Sequence, residues 1–186
     1  MKKTLLICIV LSLVLAGCGG KKKLNPALND KILEACDKGN LEEVKKLIND
    51  GADVNAKGSF DKTPLLNAYK HITIIPVLLD NGANIDAQDS QRLTALMLAI
   101  FNRTYDCAKL LINKGANVNL KSENGWTALM YACSVIKYEF EEPAALIKLL
   151  IAKGADKTVK NSEGKTPLDY FKESGVTNPE LTKLLQ

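Results

Sequence analysis

Aromatic side chains are scarce in this 186-residue chain: Phe, Tyr and Trp together make up 5% of it, with a single tryptophan. Ala, Leu, Lys and Asn stand in their place, a mix that favours helices packed closely through small residues. Histidine is scarcer still. His71 is alone, so the sequence offers no partner set for a Ser-His-Asp or Cys-His device. It reads as a solvated turn residue. No glycine-rich phosphate loop and no His/Cys metal spacing occurs. No apolar run reaches the ~20 residues that span a bilayer. Cations are also missing from the part that folds. The net charge is +4, but Lys2, Lys3, Lys21, Lys22 and Lys23 lie near the start, and the remainder is about −1. A nucleic-acid binder concentrates its cations on the folded domain. These absences speak against an enzyme and against a nucleic-acid partner, and they call for no cofactor.

What is present begins with a leader. Lys2 and Lys3 precede an apolar stretch at 4–16 that ends in small residues, the layout of a cleaved signal peptide. Leu15-Ala16-Gly17-Cys18 resembles the bacterial lipobox. That resemblance implies removal of residues 1–17, a diacylglyceryl group on the Cys18 thiol and attachment of the new N-terminus to a membrane. Residues 18–28, with Gly19-Gly20 and three lysines, read as a flexible tether. Gly19 is not the aspartate that retains enterobacterial lipoproteins in the inner membrane, so the expected place is the bacterial envelope, lipid-anchored to the outer membrane and facing the periplasm.

The rest of the chain, 29–186, repeats itself. The end signals Gly51-Ala52-Asp53-Val54-Asn55, Gly82-Ala83-Asn84-Ile85-Asp86, Gly115-Ala116-Asn117-Val118-Asn119 and Gly154-Ala155-Asp156 are spaced 31, 33 and 39 residues apart. Start signals at Thr63-Pro64-Leu65-Leu66, Thr94-Ala95-Leu96-Met97, Thr127-Ala128-Leu129-Met130 and Thr166-Pro167-Leu168-Asp169 have the same spacings. A period in this range marks a solenoid. Threonine suits a helix N-cap and proline its first position. Ala68, Ala99 and Ala132 let the first helix of each unit pack closely. The glycine after the second helix suits a left-handed cap, and the Asn/Asp-rich stretch beyond it a projecting turn. The pattern resembles the ankyrin repeat, with T-P-L-H-x-A at the start and G-A-D-V-N at the end. The resemblance implies an all-α repeat solenoid of about five units, each a helix-turn-helix with a hairpin loop.

The first and last units are atypical and polar on one face, as end caps must be. Two interior departures stand out. Repeat two is two residues short between its helices and places Pro76 inside or at the start of the second. Repeat four carries six extra residues within 134–143, either lengthening its first helix or protruding as a loop. Cys36 and Cys133 align with the second alanine of the ankyrin A-A pair and Cys107 with a small core position, so all three read as buried hydrophobes. Cys36 and Cys133 are three repeats apart, ~30 Å at ~10 Å per packed helix, beyond disulfide reach. Cys107 and Cys133 are in neighbouring repeats, and their pairing stays open.

Ankyrin stacks bind partners through loop tips and the face of the first helices. Carried onto this chain, that places Phe60, Lys62, Gln91, Leu93, Glu123, Asn124 and Trp126 at the tips and Phe101, Asn102 and Ser134 on the helix ends. Phe60, Leu93, Phe101 and Trp126 would form an apolar row suited to a protein partner. Trp126 has a second reading, as packing for its own hairpin. The whole resembles lipidated ankyrin immunity proteins that neutralise lipase toxins of type VI secretion; an envelope scaffold is the competing reading. Replacing Cys18 by serine is expected to abolish lipid labelling and to slow leader cleavage. Unchanged acyl labelling in Cys18→Ser cells would rule out the lipobox.

Overall fold

Threonine hydroxyls start the helices that carry this fold. In a computed structural model that describes residues 24–138 and 140–186, the side chains of Thr63, Thr94, Thr127 and Thr166 accept hydrogen bonds from the N–H groups of Leu66, Met97, Met130 and Asp169. Each cap satisfies one of the N–H groups that a helix start leaves unpaired and is worth about 1 kcal/mol. Asp169 returns the bond to Thr166, completing a reciprocal capping box. Asn40 and Asn178 cap two further helices in the same way. The leader, Cys18 and the tether up to residue 23 lie outside the described residues.

Among the described residues, ten α-helices form five antiparallel pairs and no strand is present. The pairs are α1 (Asn29–Lys38) with α2 (Leu41–Asn49), α3 (Pro64–Asn67) with α4 (Ile74–Asp80), and α5 (Ala95–Phe101) with α6 (Tyr105–Asn113). They continue with α7 (Ala128–Val135) and α8 (Glu141–Ala152), then α9 (Pro167–Glu173) and α10 (Pro179–Leu185). The first helix of each pair packs on the first helix of the next, giving an inner layer α1–α3–α5–α7–α9. The second helices form the outer layer, and α4 and α6 share the fewest contacts of its successive members. One continuous core runs between the layers. Ala68, Ala99 and Ala132 are wholly buried in it, as are Ile74, Leu111 and Leu146. Burying such a branched aliphatic side chain contributes about 1.5–3 kcal/mol.

The recurring Gly-Ala-x-x-Asn/Asp signal has a direct structural cause. The Asn55 side chain donates from Nδ2 to the Gly82 carbonyl (2.9 Å) and accepts from the Asn84 N–H (2.8 Å). Asn119 makes the same pair of bonds to Gly154 (2.9 Å) and Asp156 (2.8 Å). One amide side chain thus clamps the end of one outer helix to the end of the next. In the middle of the stack the clamp is Asp86. Its carboxylate accepts from the Asn117 N–H at 2.8 Å but has no hydrogen to offer the Gly115 carbonyl.

The loops beyond the clamps are joined tip to tip. The N–H of Ser90 donates to the Phe60 carbonyl, Glu123 to Gln91 and Ser162 to Asn124, at 2.8, 2.9 and 3.0 Å. Within the loops, Asp89, Ser122 and Asn161 are buried and accept backbone N–H bonds that brace each turn. Gly58 holds the equivalent place in the first loop and supplies no such brace. A Cβ there would come within 2.7 Å of Leu33. Gly125 sits at φ 75°, and a Cβ on it would meet the Asn161 backbone at 3.1 Å. Asp61 and Arg92 take the same left-handed slot without being glycine, at φ 57° and 59°, which costs each about 1–2 kcal/mol.

Both departures from the repeat are resolved. Pro76 is the third residue of α4, inside the first turn, where backbone N–H groups have no helical partner to lose. The price is length: α3 has four residues and α4 seven. The six extra residues of repeat four are shared out: one lengthens the first helix, two the turn and three the second helix. Helix α8 has 12 residues against nine in α6, and the turn before it exposes Tyr138 and Phe140. His71 is not a merely solvated turn residue. Its Nε2 lies 2.9 Å from the Asp37 carbonyl and its ring packs over Gly39, tying repeat two back to repeat one.

The clamp predicts that Asp86→Asn supplies the missing donor to Gly115 and raises the unfolding free energy by about 0.5–1.5 kcal/mol. The converse change, Asn119→Asp, removes the donor to Gly154 and lowers it by a similar amount. Urea denaturation of the two variants decides the point; no gain from Asp86→Asn would show that the amide donor is unimportant.

Candidate protein-binding face

Counting from the starting threonine, the residues four and seven places on are exposed or half-buried in every repeat except at Tyr170, which is buried. The first set is Asn67, Leu98, Tyr131 and Tyr170; the second is Lys70, Phe101, Ser134 and Glu173. In the first unit, counted from Asp30, they are Glu34 and Asp37. A helix brings such positions onto one face, and the stacking of the inner layer lines them up from repeat to repeat.

Aromatic rings gather at the centre and C-terminal half of this face. Phe101 meets Tyr131 edge to face, with ring centroids 5.8 Å apart and planes at 72°. Trp126 lies 4.9 Å from Tyr131 and 4.3 Å from Tyr170, tilted against both. Contacts of this kind add about 0.5–1.5 kcal/mol per pair beyond area burial. Leu93, Met97, Leu98, Phe101 and Tyr131 enclose a pocket of ≈ 210 Å³. Burial pushes the Tyr131 phenol above its ordinary pKa, so the ring stays neutral beside the pocket. Phe101 at its mouth is 60% exposed.

The expected apolar row is divided. Leu93 and Phe101 share this pocket. Phe60, 75% exposed, belongs instead to a separate groove beside α1. Trp126 is half-buried within the ring stack, and its ring packs on Tyr131 of α7 and Tyr170 of α9, inner-helix residues of its own and the next repeat. Lys62, Gln91, Glu123 and Asn124 are exposed around the tips, and the backbone carbonyls of Gln91 and Asn124 are engaged in the tip-to-tip bonds. Asn102 is exposed and donates to the Leu98 carbonyl. Ser134 spends its hydroxyl on the Tyr131 carbonyl at 2.8 Å. Sequence reasoning missed Tyr131, Tyr170, Leu98 and Met97, although the regular place of the first three after each threonine was there to be read.

The paired helices, the clamped repeat ends and the inner face of loop tips and first helices meet the family models for ankyrin repeats at residues 31–122 and 69–140, and for a single ankyrin repeat at 124–162. The chain belongs to the ankyrin-repeat family. No curated protein matches it. Ankyrin repeats are in general protein-binding modules and typically non-catalytic scaffolds, which supports a protein partner. The thiols of this ankyrin stack fit that description. Cys36, Cys107 and Cys133 are buried and free, so Cys107 and Cys133 do not pair. Burial pushes the Cys36 thiol up to about 12 and raises Cys107 and Cys133 as well, which holds all three in the unreactive thiol form at neutral pH.

The two central aromatics should respond differently to truncation. Trp126→Ala removes packing against Tyr131 and Tyr170 and is expected to lower stability by about 1–3 kcal/mol. Phe101→Ser loses only the edge-to-face contact with Tyr131 at an exposed position and should cost less, about 0.5–1.5 kcal/mol. Thermal and urea unfolding of both variants test the assignment, and equal losses would contradict it.

Proposed function

We propose that this chain is a non-catalytic ankyrin-repeat lipoprotein of the bacterial envelope, tethered through Cys18 to the outer membrane and facing the periplasm. Its inner face binds and neutralises a toxin acting in that compartment, such as a phospholipase delivered by type VI secretion. The observation that carries the binding reading is the aromatic-lined pocket at Leu93, Phe101 and Tyr131, open on a stack whose repeats are clamped in register. The leader and the lipobox around Cys18 support the location.

An inhibitor has to outlast its target, which calls for slow dissociation. A well-packed interface of ~1,200–2,000 Å² suffices for tight binding, and the loop tips with five inner helices offer a surface of that order. The energy of such interfaces concentrates in a few desolvated anchors. Phe101 and Leu93 fill that role at the pocket. Lys62 and Glu123, on the rim, affect the association rate and its salt dependence.

The test is a cell in which the toxin gene neighbouring this one is directed to the periplasm. Co-expression of the full chain should restore growth, and Phe101→Ser should restore it less while accumulating to the same level. Should the wild-type chain protect against no toxin encoded beside it, the immunity reading fails and an envelope scaffold for another protein replaces it.

A further inference from the structure

The inner face changes chemistry along its length. At the two aligned positions it reads Glu34 and Asp37 in the first repeat, Asn67 and Lys70 in the second, Leu98 and Phe101 in the third, Tyr131 and Ser134 in the fourth, and Tyr170 and Glu173 in the fifth, where Glu173 is paired with Lys165. The acidic end is a groove, not a flat surface. Asp30, Glu34 and Asp37 form one wall of a ≈ 460 Å³ concavity, Leu33 contributes apolar surface, and Phe60 and Lys62 stand opposite. Phe60 is in the left-handed conformation at φ 59°, and its ring is 75% exposed.

The carboxylates face competing ammonium groups of the same chain. Glu34 pairs with Lys38, which holds its carboxyl below the usual range, and Asp37 pairs with Lys70 at 3.3 Å. Asp61, behind Phe60, pairs with Lys57 at 3.4 Å. Asp30 makes no ion pair among the described residues. Exposed pairs of this sort are weak and readily exchanged. A guanidinium offers more: a planar fork for carboxylate oxygens and a face that stacks on an aromatic ring. The lining holds three carboxylates and the ammonium of Lys62, with Lys38 and Lys70 outside it as exchangeable partners, and the Phe60 ring supplies the stacking surface.

We infer that the protein partner docks with a fixed polarity along the stack. A basic side chain, arginine in preference to lysine, enters the groove between α1 and the Phe60 loop. A large apolar side chain enters the Leu93–Phe101–Tyr131 pocket. The two sites are two repeats apart, ~20 Å at the spacing of packed helices. The apolar pocket, ≈ 210 Å³, is below the ~300 Å³ at which drug-sized ligand sites begin, and suits one side chain. This inference rests on the protein-binding reading of the inner face and adds the chemistry of the partner.

The experiment selects displayed random peptides on the unlipidated mature chain and on two variants, Glu34→Lys with Asp37→Lys, and Phe101→Ser. Both changes are at exposed positions, and circular dichroism confirms that the variants fold. Peptides selected on the wild type should combine a large apolar residue with arginine or lysine towards one end. On the lysine variant their association rate at low salt should fall about tenfold, with its salt dependence lost, and fresh selection should return acidic residues at that end. Phe60→Ala should lower the preference for arginine over lysine. Binders whose charge is the same from the wild type and the lysine variant would overturn the inference while leaving the apolar anchor intact. Binders indifferent to Phe101→Ser, or no binders at all, would overturn the reading of the inner face itself.

Discussion

Everything on the inner face depends on one polar contact repeated at the far side of the molecule. The side chains of Asn55, Asp86 and Asn119 bind the backbone just past the next repeat's outer helix. Apolar packing alone is non-directional and would tolerate neighbouring repeats sliding by a fraction of a turn. A hydrogen bond to a particular N–H does not. Because the clamps set register, residues at equivalent places in different repeats fall into line, and a pocket can be built from Leu93 and Phe101 of one repeat and Tyr131 of the next. The tip-to-tip backbone bonds set the same register at the other end of the helices.

The division of labour among residues follows from this geometry. Backbone groups and short polar side chains hold the scaffold: threonines cap, asparagines clamp, Asp89, Ser122 and Asn161 brace the loops. Large side chains pointing inward fill the core. What remains, the outward positions of the inner helices and the side chains of the tips, is the surface to which the proposed function assigns recognition. Trp126 and Tyr170 are exceptions, since both serve the packing of the face they belong to.

The fold was legible because it rests on local signals that recur: a cap, a left-handed glycine and a clamp, each tied to a residue type. The buried state of Cys36, Cys107 and Cys133 was legible for the same reason. Features made by contact between repeats were not. Nothing local marks His71 as a link to Asp37, since its partner is a backbone carbonyl in another repeat. The sequence left Trp126 open between a partner anchor and packing for its own hairpin, because its neighbours Tyr131 and Tyr170 come from inner helices of two repeats. The fate of the insertion was also hidden, because residues 134–143 contain good formers of either a turn or a helix start. Cys18 and the leader rest on the sequence alone.

The thin seam between α4 and α6 gives the stack a mechanical character. A repeat array is close to a one-dimensional spring, each unit coupled chiefly to its neighbours. Bending such a spring concentrates where its layers grip least. Here that is the junction of repeats two and three, where the inner contact of α3 with α5 is also the thinnest of its layer. Bending is therefore expected at this junction, which lies between the acidic groove and the aromatic pocket. The weakest contact of the scaffold thereby sets the compliance with which the two halves of the face adapt to what they hold.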